Sequence, residues 1–448
     1  MEDLLTYRYA TPSTLRKKEN SEELFLSKYS EIQKNTDAPC FFWGNILNPF
    51  IMARCLITLS NIVKSSFNLS PFQLALLKDP IATAGNGCVR FEGFSHCAGV
   101  YARVDVLPDG LDGDFLENGT TNVDFNQPML TALGRINRSE KVLLSIGQKE
   151  VGLHTEGNKV IERKVPLPTK WIKGLSTVQI YLSHAEKLHT FTKIQTQQLF
   201  RGIPRGQVKS DYYLILRGNT PVFTPVKSTN AICIGGLHRL RLLEPLIPYI
   251  DKMQVFPHPT MQSTTWQLYF GDIRFSFSLS RDSWRGFSGE GAALESLIEE
   301  VSDEWIDALD KYAYANQAFN PTIFAIKENI AFKDIDTLTG RLAAMGLLGY
   351  DLDENQFFYR RLPFKPERIL SLNPRMKGAN KLIEDRKVHI IRNEKGRTEA
   401  RVEGSGVRHT VIFDKGLERC TCEWYSKYQG ERGPCKHVLA VKKMILEK

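Results

Sequence analysis

The sequence predicts a multidomain protein of the α+β class, and three observations predict it. The chain has 448 residues, more than one ordinary domain holds. Helix-period and strand-period segments are mixed without a regular βαβ order. The last thirty residues collect cysteines and a histidine in a stretch too short to hold a core of its own.

Composition sets the class. Hydrophobic residues make up 42% and charged residues 24%, so a sizeable core is available without disulfides. The longest apolar run, Phe50 to Val63, is interrupted by Arg54 and is shorter than the roughly 20 residues a bilayer span requires. The opening Met1-Glu2-Asp3 has neither a basic nor an apolar signal region. The expectation is a cytoplasmic chain in a reducing compartment, with no membrane partner.

Three domains are expected, at 1–205, 206–365 and 366–448. In the first, the polar residues 1–37 predict one helix. Asn45 to Phe67 reads as a buried helix carrying Ile46, Phe50, Ile51, Leu56, Leu59 and Ile62. Val89 to Val106 alternates as strand, and Leu107 to Asn126 is turn-rich. Asp109, Asp112 and Asp114 sit in that stretch, where Gly110 and Gly113 favour a solvated turn over a cation site. Val142 to Val165 predicts a meander broken at Gly147-Gln148 and Gly157-Asn158. Gly174 to Phe200 predicts one long polar helix, on which His184 and His189 are badly spaced to share a metal. The segment Arg201-Gly-Ile-Pro-Arg-Gly-Gln207 marks the domain boundary.

The middle domain predicts strands at Tyr212 to Leu216 and Val222 to Val226, then a helix from Gly236 to Glu244 ending before Pro245. A hairpin follows, Thr265 to Phe270 and Ile273 to Leu279, turning at Gly271-Asp272. Ala292 to Tyr314 is an amphipathic helix with an acidic face. From Ile335 to Phe364, a helix is followed by a hairpin turning at Asp353-Glu-Asn355. That order fits either a winged helix, with Arg360 and Arg361 on the wing as phosphate contacts, or an ordinary hairpin packed into the domain.

Charge is unevenly spread. Arg360 to Lys448 holds 22 Lys and Arg against 11 Asp and Glu, whereas the rest holds 37 against 39. The whole excess of +9 therefore belongs to the C-terminal fifth. Such a surface favours nucleic acid or an acidic protein face, or simply keeps the tail solvated.

The cysteines carry the clearest chemistry. Five of eight are scattered among apolar neighbours, as buried thiols are. The other three form Cys420-Thr-Cys422, twelve residues, then Cys435-Lys-His437. Three thiolates and one imidazole complete a tetrahedral zinc set, and a closed set leaves no position for water or substrate. One structural Zn2+ is expected. Cysteines two apart in an extended segment face the same side. Thr410 to Cys422 predicts that hairpin. Gly433-Pro434 ends the loop, and Cys435 and His437 open a final helix striped by Val438, Val441 and Ile445. Three thiolates leave the site at −1 overall, and Arg419, Arg432, Lys436 and Lys442 are candidates to offset it or to meet a partner.

CxC followed by CxH resembles the SWIM zinc finger over Val407 to Val441. Related fingers occur in chromatin-remodelling ATPases, Mutator-like transposases and signalling kinases, so the resemblance implies DNA or protein binding. Arg90-Phe-Glu-Gly-Phe94, Gly119-Thr-Thr-Asn-Val123, Trp284-Arg-Gly-Phe287 with Gly289-Glu-Gly291, and Phe358-Tyr-Arg-Arg-Leu-Pro-Phe364 are similar to the long bacterial SWIM zinc finger family proteins. That similarity implies protein partners, a MoxR-type AAA+ ATPase and a von Willebrand factor A protein. No catalytic motif is evident. The function expected is a non-enzymatic zinc-binding recognition or adaptor protein that binds nucleic acid or protein; the first alternative is a protein-interaction component of that AAA+ and von Willebrand system without nucleic-acid binding, and the second an enzyme site hidden in residues 1–365.

Overall fold

The structure, a computed structural model, describes residues 14–18, 21–25 and 40–446, apart from 66–79, 166–168, 209, 282–285, 290–302, 361, 363–373, 395, 405, 416 and 431–432. The chain divides into two units, Met1–Pro39 and Cys40–Lys448. The described part of the first unit is an antiparallel hairpin, Thr14–Lys18 with Ser21–Phe25, where a helix was expected. Leu15 pairs with Leu24 in the register of this hairpin, a cross-strand match that a helical reading of the segment does not anticipate.

The second unit is α+β and multidomain in character, and its described residues form three hydrophobic cores. Its centre is an eight-stranded antiparallel sheet. The spatial order is His189–Thr192, Lys252–Pro257, Ser263–Phe270, Ile273–Ser280, Val100–Val106, Cys88–Phe94, Ile81–Gly85 and Gly119–Asn122. The break expected between 205 and 206 does not divide this sheet, because Val100–Val106 pairs along its length with Ile273–Ser280. The hydrogen bonds of that pairing tie the two sequence halves into one layer.

The sheet has two chemically different faces. Val89, Phe91, Val104, Val106, Phe275 and Phe277 point into the first core, alongside the helix Pro49–Lys64. That helix starts where Asn48 accepts from the Ile51 amide at 3.3 Å and Pro49 pre-sets the first turn. The predicted start at Asn45 is too early, since Asn45 and Ile46 belong to the strand Cys40–Ile46. The opposite face carries Arg90, Glu92, Arg103, Asp105 and Arg274, and none of these is more than 3% exposed.

A second sheet runs Asn158–Arg163, Glu150–Thr155, Val142–Gly147, Cys40–Ile46 and Leu111–Phe115. Asp112 and Asp114, expected in a turn, lie on its edge strand opposite Asn45 and Trp43. Gly44 and Gly113 oppose each other in this pair. A Cβ on Gly113 would fall 2.4 Å from the Gly44 Cα, so the two backbones meet only because neither has a side chain. We expect Gly113→Ala to lower stability by about 1–3 kcal/mol, read as a lower urea midpoint.

The long helix expected from Gly174 to Phe200 is two helices. Thr169–Ser183 ends, the strand His189–Thr192 joins the sheet edge, and Lys193–Arg201 begins anew. Thr192 restarts the helix through a reciprocal cap: its hydroxyl accepts from the Gln195 amide and its own amide donates to Gln195 Oε1. The helix expected from Gly236 to Glu244 is a 3-10 segment, Leu237–Tyr249, running past Pro245.

Residues 303–359 follow the order helix Asp303–Asn316, strand Ala318–Phe319, helices Pro321–Lys327 and Phe332–Ala344, then strands Leu348–Asp351 and Gln356–Tyr359. The first strand pairs with the last, as in a winged helix. Residues 292–302 of the expected acidic helix lie outside the described residues. The hairpin does not project as a free wing. It lies on the polar face of the large sheet, where the Tyr350 carbonyl accepts from Arg103 at 2.7 Å. Arg274 grips Asp351 with two bonds, of 2.6 and 3.1 Å.

Candidate metal centre

The last core belongs to the tail. The strands Val388–Glu394, Arg397–Glu403, Arg408–Asp414 and Leu417–Cys420 form an antiparallel meander. Helices Pro374–Glu384 and Lys436–Leu446 cover its inner side through Met376, Ala379, Val438, Leu439 and Val441. Thr398, Ala400 and Val402 point inward, and Arg397, Glu399 and Arg401 point outward, which is the period-2 pattern of a half-buried sheet.

Each ligand candidate is placed by a local rule. Cys420 ends its strand opposite Val411. Cys422, two residues on and again inward, caps the short helix Glu423–Tyr428, its sulfur accepting from the Tyr425 amide at 3.4 Å. Gln429 and Gly430 then adopt left-handed backbone and stop that helix. Cys435 accepts from the Val438 amide at 3.5 Å as the final helix begins. Position 437 follows in its first turn.

The four ligand atoms lie within 4.8 Å of one another, and all four residues are buried. His437 Nδ1 is 3.8 Å from the Cys420 sulfur and 3.9 Å from that of Cys435. Tetrahedral zinc with Zn–S of about 2.3 Å and Zn–N of about 2.0 Å separates such atoms by about 3.6 Å. The residues thus fit one structural Zn2+, bound through three sulfurs and Nδ1. The Cys435 thiol is held down to about 4, first by the hydrogen bond from Cys420 and then, against burial, by His437. The same bond and burial push Cys420 up, and burial pushes Cys422 up. The His437 ring lies 4.3 Å from that of His409.

The other candidate contacts separate. Arg360 is a correction: it is 2% exposed and pairs with Glu92 beneath the hairpin, so it meets no external phosphate. Arg361 and Arg432 lie outside the described residues. Arg419 is exposed on the outward face, opposite the ligand side, because it alternates with Cys420. Lys442 pairs with Glu418 rather than with the thiolates. Lys436 is exposed, its stem crossing Gly378 of the first tail helix.

A second feature was missed by sequence reasoning. A cavity of about 580 Å3 is lined by His184, His258, Thr260, Asp336 and Tyr350, among others. The two imidazoles stand 6.1 Å apart although 74 positions separate them in the chain, and no local spacing signals that. Burial, then His184, pushes His258 down to about 4 from 6.5. A histidine kept neutral contributes stability above its unfolded pKa, and that contribution is lost as the pH falls from 6.5 toward 4. We expect the urea midpoint to drop across that window, and less so in His258→Gln.

Residues 409–446 match the SWIM zinc finger family. This stretch contains all four ligand candidates and begins within the third tail strand. No curated protein matches the chain. Among solved structures, the chain is similar to a proliferating cellular nuclear antigen from Entamoeba histolytica, at 8% identity and a TM-score of 0.37, covering 54% of this chain and 98% of that one. It is also similar to the PCNA2-PCNA3 complex from Sulfolobus tokodaii, at 6% identity and a TM-score of 0.39, covering 54% and 99%. Likeness at these scores transfers neither fold nor function.

No described helix is long and apolar enough to cross a membrane.

Proposed function

We propose that the chain is a non-enzymatic recognition protein whose C-terminal zinc module engages a macromolecular partner. The observation that carries this reading is the closed, buried set of three cysteines and one histidine. Four protein donors leave no open position for a reacting molecule, so the metal's role is to hold a surface in shape. The tail's excess of basic residues makes an anionic partner the best match. A pull-down from native cell extract, with and without nuclease, tests it. Nucleic acid as partner predicts capture that nuclease abolishes. A protein partner, such as the AAA+ ATPase and von Willebrand factor A pair implied by resemblance, predicts capture that survives nuclease and high salt. No capture by the parent chain beyond that of Cys435→Ser would defeat the proposal.

A second reading, an enzyme, rests on the cavity beside His184 and His258, where ionisable groups converge. Saturable turnover lost in His258→Gln, with the fold retained, would favour it.

A further inference from the structure

The tail's basic excess is not shared between its two faces. Its four strands carry five Lys or Arg and five Asp or Glu, and the outward face mixes them in register: Glu399 between Arg392 and Ile412, Glu403 beside Arg408. Its three helices, Pro374–Glu384, Glu423–Tyr428 and Lys436–Leu446, carry seven Lys or Arg and two Glu. The sheet face is thus neutral and the helical face positive.

The helical face is also continuous. Arg375 lies 4.9 Å above the Trp424 ring and donates to the Pro434 carbonyl at 2.9 Å, joining the first tail helix to the zinc loop. Lys436 runs across Gly378, and Lys443 donates to Asn380 at 2.9 Å, joining it to the last helix. Lys377 and Lys381, one turn apart, are exposed on the same side. Among the described residues neither Lys377 nor Lys436 forms an ion pair. Three helices therefore present one surface of positive charge, with its spacing held by the metal-linked core.

We infer that this face, built by Arg375, Lys377, Lys381, Lys436 and Lys443, binds the phosphate backbone of nucleic acid through charge, without reading bases. The inference rests on the recognition role proposed above and names its partner. It also assigns three of the five residues to the helix Pro374–Glu384, which lies outside the matched finger at 409–446. Lysine is a strongly hydrated point charge on a flexible stem, suited to phosphate but poorly suited to bidentate recognition of a base.

The test is fluorescence anisotropy of the full zinc-loaded chain with a labelled 20-nucleotide DNA of random sequence, single-stranded and duplex, from 50 to 200 mM salt. Each neutralised phosphate contributes a slope in log K against log salt of about −0.9 for duplex and about −0.7 for single strands. The triple variant K377Q/K381Q/K436Q is expected to bind at least tenfold more weakly, with a slope shallower by two or more. Zinc content and melting temperature should match the parent. The control R397Q/R401Q/R408Q, on the sheet face, is expected to stay within twofold. Equal affinity in parent and helix-face variant, or loss in the sheet-face variant alone, would overturn the inference. So would an absence of DNA binding by the parent at 50 mM salt. Capture of a nuclease-resistant protein partner would then leave the recognition role standing, whereas capture of nothing would remove both.

Discussion

Cys435→Ser should leave the chain without zinc and unfold the tail from Val388 to Leu446, while the large sheet stays folded. The tail's apolar cluster is small, and Cys420, Cys422 and Cys435 are themselves members of it. A segment of this size needs a staple. Structural zinc contributes on the order of 10–16 kcal/mol in isolated fingers, far more than the remaining contacts supply. Serine offers no thiolate, and Cys435 is one of the four donors that lie within 4.8 Å of one another. Cys420, Cys422 and His437 would remain close together with only three of the four donors a closed zinc site needs. Metal analysis should give one zinc per chain in the parent and none in the variant. Hydrogen exchange should show lost protection in the strands at 388–420 and the helix at 436–446. Protection in the strands Val100–Val106 and Ile273–Ser280 should be unchanged, because they belong to a different core. Equal zinc in both proteins would end the structural assignment.

The contrast between tail and body explains what could be read from residues alone. The ligand set was legible because all four donors lie within eighteen positions, and the strand and helix geometries that aim them are local. The hairpin at Gly271 and the meander after Val142 were legible for the same reason: alternation and turn residues act over a few positions. The short helix Glu423–Tyr428 was not legible, because its cap is Cys422 and cysteine is not among the residues that signal a helix start. The role of Arg360 was not legible. Val100–Val106 and Ile273–Ser280 alternate apolar and polar, which ordinarily means one solvated face. Here the polar residues are buried because a hairpin some 80 positions further along brings Asp351 and Asp353 to meet them. Only long-range pairing could reveal that a charged side chain was paired inside. The segments Arg90 to Phe94 and Phe358 to Phe364 were noted for resemblance alone. The structure gives their described part a physical basis: they supply Glu92 and Arg360 to one ion pair, and place Arg90 4.1 Å above the Phe358 ring.

That ion pair carries the other large effect. Glu92→Gln is expected to destabilise the main unit by about 3–5 kcal/mol, the range for removing one partner of a buried pair. Arg360 depends on Glu92, since its Nε and Nη2 atoms are buried without hydrogen-bond partners among the described residues. Replacing the carboxylate by an amide leaves a full positive charge in a dry layer. It also weakens the bond that the Tyr101 hydroxyl donates to Glu92 at 2.6 Å. The neighbouring pairs cannot compensate. Asp105 already meets Arg103 at 2.8 Å, and Asp351 is engaged by Arg274 at 2.6 Å. Burial would raise the Asp351 carboxyl, but Arg274, Arg103 and Arg90 outweigh it and hold it at about 2. Arg90 shares Asp105 and Asp351, at 3.6 and 4.0 Å, and Arg274 reaches both Asp351 and Asp353, so no carboxylate beside Glu92 is left over for Arg360. The double variant Glu92→Gln/Arg360→Met removes the orphaned charge, so it should recover much of the loss despite deleting more of the native contact. Urea midpoints of the parent, both single variants and the double variant complete the cycle. If the double variant is less stable than Glu92→Gln, the cost lies in lost packing rather than in an unpaired charge. The hairpin would then be held to the sheet by shape and not by its charges.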